Sequence, residues 1–156
     1  MNKKSIFFVS ICFIYVILFF MSCGTTSLCS CPYSVSDVQM VVESDESDSD
    51  NKRAEVFFVM ENNANKNIVS FSVSFRLYDK DGNSVTVDSN SVSTTVNKTL
   101  NANDCSDVSF DILPYLSDFP EEAYIVDSFY VKEIRYADGS VWTDPFGIFS
   151  EQELFD

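Results

Sequence analysis

The 156-residue chain contains no histidine. Histidine is the commonest general base and a usual ligand of zinc and copper, so its absence excludes the ordinary Ser-His and Cys-His dyads and argues against most metal centres. We therefore predict no catalytic residues, no metal site and no cofactor. Glycine is also scarce, with four residues, whereas 46% of the residues are hydrophobic and 15% aromatic. That composition predicts one globular domain with a substantial core.

Basic residues are few as well. Ten Lys and Arg stand against 24 Asp and Glu, a formal net charge of -14. Removal of an N-terminal segment carrying Lys3 and Lys4 would leave eight basic residues and a net charge of -16. Such a surface repels phosphate backbones, so we predict that nucleic acid is not a partner.

A long hydrophobic run occurs once, near the N-terminus. Lys3 and Lys4 precede the 15 residues Ile6–Phe20, which only Ser10 interrupts. A membrane-spanning helix needs roughly 20 apolar residues, whereas the core of a secretory signal needs about 7–15. The run therefore predicts a signal peptide over residues 1–22. An uncleaved signal anchor and cleavage with simple release are the alternatives, and all three export the chain because the two lysines hold the N-terminus inside.

The end of this run, Phe20–Cys23 (FMSC), resembles the lipobox of bacterial lipoproteins. The resemblance implies cleavage before Cys23, attachment of lipid to Cys23, and a membrane anchor followed by a tether over residues 23–32. Several acyl chains on one residue would make that anchoring stable. Gly24 follows the cysteine in place of an aspartate, which by the same resemblance favours the outer membrane and leaves the periplasmic or surface face open.

Three further cysteines remain after signal cleavage: Cys29, Cys31 and Cys105. In an oxidising compartment Cys105 could form a disulfide with Cys31 or with Cys29. A direct Cys29–Cys31 bridge would be strained, and three is an odd number. We predict one structural disulfide, with Cys31 and Cys105 as the candidate pair.

Alternation of apolar and polar residues predicts β-strands over most of the remaining chain. A first strand is predicted near residues 34–42, and the acidic, serine-rich run 43–51 (ESDESDSDN) is predicted to be a solvated loop. Residues 54–62 are apolar on both faces, which indicates a central strand. In residues 68–78 one face is apolar and the other polar, which predicts a half-buried strand with the inward face Phe71, Val73, Phe75 and Leu77.

A turn at Asp79–Asn83 (DKDGN) ends that strand, and Ser84–Asp88 is predicted to be its partner. The turn matches the first ligands of an EF-hand calcium loop, but its glycine comes too early, which favours a hairpin turn.

Further strands are predicted over residues 91–100, at the edge of a sheet, around Val108, Phe110 and Ile112, and over Ala123–Ala137 with a bulge near Lys132-Glu133. Residues 114–120 are predicted to contain one helical turn, and Asp138-Gly139 a tight turn into residues 141–143. Residues 147–156 are a C-terminal tail.

Seven or eight short strands without a helical period predict an all-β fold, an antiparallel immunoglobulin-like β-sandwich over residues 33–146. Phe75–Asp79 (FRLYD) with its following turn, and the Asn62–Ile68 opening (NNANKNI), resemble FxLYD-type domains of bacterial envelope proteins. Tyr130–Trp142 (YVKEIRYADGSVW) is similar to the final hairpin of a related domain class. The resemblance implies an exported, non-catalytic module, although residues 100–104 depart from the family's Pro-Gly-Glu turn.

These observations together predict a lipid-anchored envelope lipoprotein, not an enzyme, whose sandwich is an interaction or structural module with an envelope protein or polymer as partner. The aromatic residues Tyr136, Trp142 and Phe146 are the candidate interaction surface, since Trp and Tyr dominate binding hot spots. The alternative is that they close the core. A calcium-dependent adhesion module, suggested by the acidic run, and a carboxylate-based glycoside hydrolase are the competing functions.

Overall fold

The computed structural model describes residues 31–45, 48–87 and 91–150, with side chains except at residues 44–51. The predicted signal peptide, Cys23, most of the tether and residues 151–156 lie outside this part of the chain. The described residues belong to one compact unit that begins at Cys31. No helix within them is long and apolar enough to cross a bilayer.

The fold is all-β. Two antiparallel sheets pack as a β-sandwich, one with the strand order β1-β2-β5 and the other with the order β4-β3-β6-β7. A short 3-10 helix, Leu113–Tyr115, follows β5. The strands are β1 (Tyr33–Asp45), β2 (Asp48–Asn62), β3 (Ile68–Tyr78), β4 (Val92–Val96), β5 (Cys105–Asp111), β6 (Ile125–Tyr136) and β7 (Val141–Thr143). The predicted immunoglobulin-like sandwich is confirmed, with seven strands in the described residues and β4 paired to β3.

The core lies between the two sheets and is formed by alternate residues of each strand. On β2 the buried side chains are Val56, Phe58 and Met60, while β3 contributes Phe71, Val73, Phe75 and Leu77. The ring of Phe58 lies edge-on to those of Phe71 and Phe110, at 6.3 Å between ring centres in each case. The inward face predicted for β3 and the central place predicted for β2 are therefore confirmed.

Two bulges shape β6. Ser72 faces Glu133 and Val73 faces Val131, so Lys132 is an extra residue, and the predicted bulge near Lys132-Glu133 is confirmed. A second bulge was not predicted. Ser74 faces Tyr130 and Arg76 faces Asp127, so β6 has one residue more than β3 over this interval. Ser128, inside it, has a positive φ of 52°.

The acidic run does not form the loop that we predicted. β1 continues to Asp45 and β2 begins at Asp48, so the two strands extend the hairpin through most of residues 43–51. Glu43 faces Arg53 in this register, and opposite charges facing each other across two strands stabilise the pairing. The acidic composition of residues 43–51 predicts a solvated loop. In the structure, backbone pairing between β1 and β2 continues into these residues instead.

The predicted strand Ser84–Asp88 is also wrong. Only isolated bridges form in the described part of this segment, between Ser84 and Tyr78 and between Thr86 and Leu116. The segment passes from one sheet towards the other, since the N–H of Val87 donates to the carbonyl of Tyr115 after β5. A chain that crosses between sheets cannot pair along its length with either one.

A buried asparagine joins the loops at one end of the sandwich. The Asn62 side chain has no exposed surface, and its Nδ2 donates to the carbonyls of Lys66 and Asn101 at 2.8 Å each. Its Oδ1 accepts the N–H of Ala64 at 3.1 Å. Asn62 is the first residue of the Asn62–Ile68 motif noted in the sequence. We call this region, with loops 62–68, 100–104 and 136–140, the Asn62 end.

Candidate functional site

A cleft of about 580 Å³ lies beside the first half of β6. It is lined by Arg76 of β3, by residues 127–130 of β6, and by residues 145–147 and 150, which follow β7. The cleft exists because the chain after β7 turns back along β6: the N–H of Asp144 donates to the carbonyl of Lys132 at 2.8 Å. One wall is therefore a strand and the other a series of turns.

Asp144 fixes the wall of turns. Its carboxyl group is buried and accepts the N–H groups of Ile148 and Phe149 at 3.1 and 2.9 Å. Ser150 adds a bond from its hydroxyl to the carbonyl of Gly147 at 2.7 Å. Buried carboxylates need such donors to offset their lost hydration. Residues 147–150, which we predicted to belong to a tail, are thus part of the folded domain.

Gly147 and Tyr130 are packed together where the two walls meet. Gly147 has a φ of 70°, and a Cβ at this position would lie 2.9 Å from Cγ of the Tyr130 ring. The Tyr130 hydroxyl donates to the carbonyl of Pro145 at 3.2 Å. Glycine is required here for two reasons, because the backbone is left-handed and because the ring occupies the space of a side chain.

The Ser128 bulge determines which β6 side chains reach the cleft. Phe129 packs between the sheets, 4.8 Å from Phe58 and stacked on Phe75 at 5.9 Å. Asp127 and Ser128 stay exposed, and the Ser128 hydroxyl donates to the Asp127 carboxylate at 3.1 Å. Because of the bulge, the Phe129 ring lies in the core while the Asp127 carboxylate, two residues earlier, lies in the cleft.

Exposed groups of three kinds surround the cleft. The Phe146 ring is 81% exposed, and Ile148 beside it is 58% exposed. Arg76 is exposed and makes no hydrogen bond or ion pair within residues 31–45, 48–87 and 91–150, although it faces Asp127 across the sheet. The cleft thus offers an apolar ring, a guanidinium group with five N–H donors and a carboxylate that can accept.

The cleft presents a carboxylate beside an arginine and an aromatic ring. Among the described residues that line the cleft, Asp127 supplies the one carboxylate. A glycoside hydrolase uses two carboxyl groups across the scissile bond, and the described lining of the cleft supplies one. An unpaired arginine beside an exposed aromatic ring is instead typical of recognition surfaces.

The three aromatic residues predicted to form an interaction surface have different environments. Tyr136 is buried at 7% exposure, and burial raises its pKa. Trp142 is half-buried, edge-on to Tyr33 at 5.6 Å and to Phe149 at 5.5 Å. Because β7 holds Trp142 opposite the buried Ile134, its ring faces the core. The prediction is wrong for Tyr136 and Trp142, which close the core, and Phe146 alone is exposed at the cleft.

The Asp79–Asn83 turn uses its own carboxylate. Asp79 Oδ1 accepts the N–H groups of Asp81 and Asn83, and Oδ2 accepts the Asn83 side chain at 2.9 Å. The Asn83 side chain and then its backbone N–H hold the pKa of Asp79 below its ordinary value. Both oxygens are thus occupied by the turn itself, which argues against calcium binding here. No group of three or more metal-ligating side chains occurs in the described part of the chain.

The structure does not contain the predicted disulfide between Cys31 and Cys105. Cys105 is the exposed first residue of β5, whereas Cys31 precedes β1 and packs against the core. β2 lies between these two strands, and the register places Ser34 rather than Cys31 level with Cys105, so the cysteines are separated by more than two strand spacings, which span roughly 9–10 Å. A disulfide needs Cα atoms about 4.4–6.8 Å apart. Cys29, the alternative partner, lies outside the described residues.

Sequence patterns did not reveal most of the cleft. The alternation in residues 68–78 places Arg76 only on the polar face of a strand, and no sequence pattern marks Asp127 or Tyr130 as a site residue. The cleft depends on the bulge at Ser128, which the alternation of apolar and polar residues does not predict, and on turns held by Asp144. One signal was available in Pro145-Phe146-Gly147, where an apolar residue stands between two turn-forming residues.

No protein-family model matches the chain, and no curated protein is significantly similar to it. A crystal structure of a hypothetical protein from Peptoclostridium difficile 630 is similar in fold, with a TM-score of 0.56 and 11% sequence identity. The similarity covers 80% of this chain and 91% of that one. At this identity the comparison supports the β-sandwich and carries no information about function.

Proposed function

We propose that this protein is a lipid-anchored lipoprotein of the bacterial cell envelope whose β-sandwich is a non-catalytic interaction module. The observation that carries the proposal is the N-terminal order of two lysines, a 15-residue apolar run and Ser22-Cys23-Gly24. The length of the run fits a signal peptide, and the position of Cys23 fits a lipidation site. The outer membrane is the favoured location.

The fold is compatible with an anchor at this position. Pro32 enters the sandwich at the Asn62 end, where its carbonyl accepts the N–H of Asn63 at 2.9 Å. A lipid on Cys23 would tether the domain by that end through a short segment. The side chains of Asn62, Asn67 and Lys66 already bond to neighbouring loops at this end, so we place the partner contact elsewhere.

We place the partner contact at the cleft. Its volume of about 580 Å³ is within the range of roughly 300–1,000 Å³ that ligand pockets occupy. Phe146 would pack on an apolar group of the partner, Arg76 would donate to an acceptor, and Asp127 would accept from a donor. An envelope protein or polymer that presents these groups together is the proposed partner.

The anchor is tested by the intact mass of the full chain extracted from membranes. We expect a species that begins at Cys23 and carries acyl mass, and we expect Cys23→Ala to abolish that species. Cys29→Ala is the matched control and should be processed normally. A chain that retains residues 1–22 would contradict the lipoprotein proposal and favour a signal anchor.

The contact is tested by introducing a photo-crosslinking residue at position 146 of the full chain in its native envelope. Position 87 is the control, because Val87 is 57% exposed and does not line the cleft. We expect a discrete adduct from position 146 that is absent from position 87 and is lost with Arg76→Ala. The same adducts from both positions, or none from position 146, would exclude the cleft as the contact.

A further inference from the structure

The two sheets have four edge strands, and three of them are protected against pairing with another chain. β1 has a bulge between Ser36 and Gln39, with Asp37 at a positive φ of 55°. In the middle of β5 the Lys98 side chain donates to the backbone carbonyl of Asp107, and β7 is only three residues long. Bulges, charged side chains and short length are the usual means by which proteins prevent edge-to-edge association.

β4 has none of these features. Its five residues, Val92–Val96 (VSTTV), include no charged residue, proline or glycine. They pair with β3 in an unbroken register from Phe71 opposite Val96 to Phe75 opposite Val92. On the side away from β3, the backbone groups of Val92–Val96 form no backbone hydrogen bond within the described chain. This edge therefore presents a regular row of donors and acceptors.

The sequence of β4 is close to a palindrome. If two copies pair antiparallel about a two-fold axis at Thr94, Val92 faces Val96 of the other copy and Ser93 faces Thr95. Ser72 and Thr95 already form a hydroxyl–hydroxyl hydrogen bond of 2.8 Å across the sheet, and Ser93 of a second copy would extend that row. Threonine and serine pairs of this kind stabilise neighbouring strands.

The self-complementary sequence of β4 indicates that the occupant of this edge is a second copy of the chain, and the local charges favour β4 over the other edges for that pairing. The protein carries a net charge of -14, and pairing through β1 or β5 would bring acidic residues such as Glu43 or Asp107 of two copies close together. Pairing through β4 places no charged residue opposite another. We propose that β4 is a homodimerisation edge, through which two copies pair about Thr94 and join their four-stranded sheets into one sheet of eight strands.

The dimer is expected to be weak. Five residues from each copy fall well short of the roughly 20–30 residues per side in stable interfaces. The two-fold arrangement is closed, so it yields dimers and not filaments. The proposal goes beyond the proposed function and does not rest on the lipid, although confinement to a membrane would raise the effective concentration of the two copies.

Disulfide trapping in the full chain tests both the contact and its register. The background replaces Cys29, Cys31 and Cys105 with alanine and retains Cys23, and far-UV circular dichroism confirms folding. Thr94→Cys places two thiols on directly opposite residues, about 4.5–5.5 Å apart between Cα atoms, which allows a disulfide. We expect oxidised whole-culture samples, cells and medium together, to contain at least about ten-fold more covalent dimer for Thr94→Cys than for Ser109→Cys, on the exposed face of β5.

The register is tested with two differently tagged chains. Ser93→Cys alone should crosslink poorly, because equivalent residues would be about 7–8 Å apart, whereas Ser93→Cys mixed with Thr95→Cys should give a dimer carrying both tags. Equal crosslinking of Ser93→Cys alone and of the mixture would overturn the proposed register. Failure of Thr94→Cys to exceed both Ser109→Cys and the background would overturn the dimer, whether or not Cys23 is lipidated.

Discussion

The Asn62 end and the cleft differ in how their polar groups are used. At the Asn62 end the side chains of Asn62 and Asn67 bond to neighbouring loops, and Lys66 forms an ion pair with Asp138 at 2.7 Å. At the cleft Arg76 has no partner in the described chain, and Asp127 accepts only from its neighbour Ser128. The first region uses its polar groups to hold loops together, whereas the second leaves them facing solvent.

This difference separates stability from recognition within one sandwich. Satisfied buried groups make the Asn62 end costly to alter, since removal of one partner leaves others unpaired. The exposed cleft groups contribute little to folding, because they make few contacts within the described chain. Substitutions in the two regions should therefore differ in their effect on the free energy of unfolding, and the following four predictions test that expectation.

The largest effect is expected at the Asn62 end. Asn62→Ala removes hydrogen bonds to three carbonyls and from one N–H, so it should lower the free energy of unfolding by about 3–5 kcal/mol. Urea denaturation followed by circular dichroism measures the change. Asn63→Ala is the matched control, because Asn63 is exposed and should stay within about 0.5 kcal/mol of wild type. Similar values for the two variants would show that the hydrogen bonds of Asn62 contribute little.

The second prediction concerns the base of the cleft, where packing and backbone conformation both matter. Gly147→Ala must adopt a φ of 70° and displace the Tyr130 ring, and should cost about 2–3 kcal/mol. Gly139→Ala is the matched control. Its φ is 82° with no atom within 4 Å, so it should cost only about 1 kcal/mol for the backbone. Equal costs in urea unfolding would mean that Tyr130 moves aside freely.

The features that the sequence predicted are those that neighbouring residues determine. The alternation of Phe71, Val73 and Phe75 predicted a strand and its buried face, and a slip in phase predicted the bulge at Lys132. Asp79 and Asn83 predicted a turn because their side chains bond within the turn itself. In each case the physical cause lies within a few residues of the feature.

The features that the sequence missed depend on distant parts of the chain. Tyr136 and Trp142 are as aromatic as Phe146, and only the pairing of β6 with its neighbours determines which rings face inward. The cleft requires residues 144–150 to turn back over Tyr130, where Asp144 bonds to residues four and five positions ahead. No local sequence pattern predicts the bulge at Ser128.

A smaller effect is expected from the exposed ion pair at the Asn62 end. Hydrogen bonds from Lys66 and then Ser140 hold the pKa of Asp138 well below its ordinary value of 3.8. The contribution of Asp138 is therefore fully present above about pH 4 and is lost as the pH falls through its lower folded-state pKa. Asp138→Asn should be less stable than wild type at pH 7, and the difference should shrink as the pH falls below 4.

Thermal unfolding between pH 7 and pH 2, at low and high salt, measures this dependence. High salt should also reduce the difference, because both side chains are about half exposed. Asp118→Asn is the matched control, since Asp118 is exposed and forms no hydrogen bond or ion pair in the described residues. If the difference in thermal stability between Asp138→Asn and wild type is unchanged below pH 3, the charge of Asp138 is not the cause of that difference.

The smallest effect on stability is expected at the mouth of the cleft. This substitution is the most direct test of the difference between the cleft and the Asn62 end. Phe146 is 81% exposed, so Phe146→Ser should change the free energy of unfolding by no more than about 0.5 kcal/mol. Phe149→Ser is the matched control, because its ring contacts Trp142 and its loss should destabilise the domain. A large loss of stability in Phe146→Ser would mean that the Phe146 ring stabilises the fold. An unchanged stability would leave solvent-facing Phe146 available for the partner that the cleft is proposed to bind.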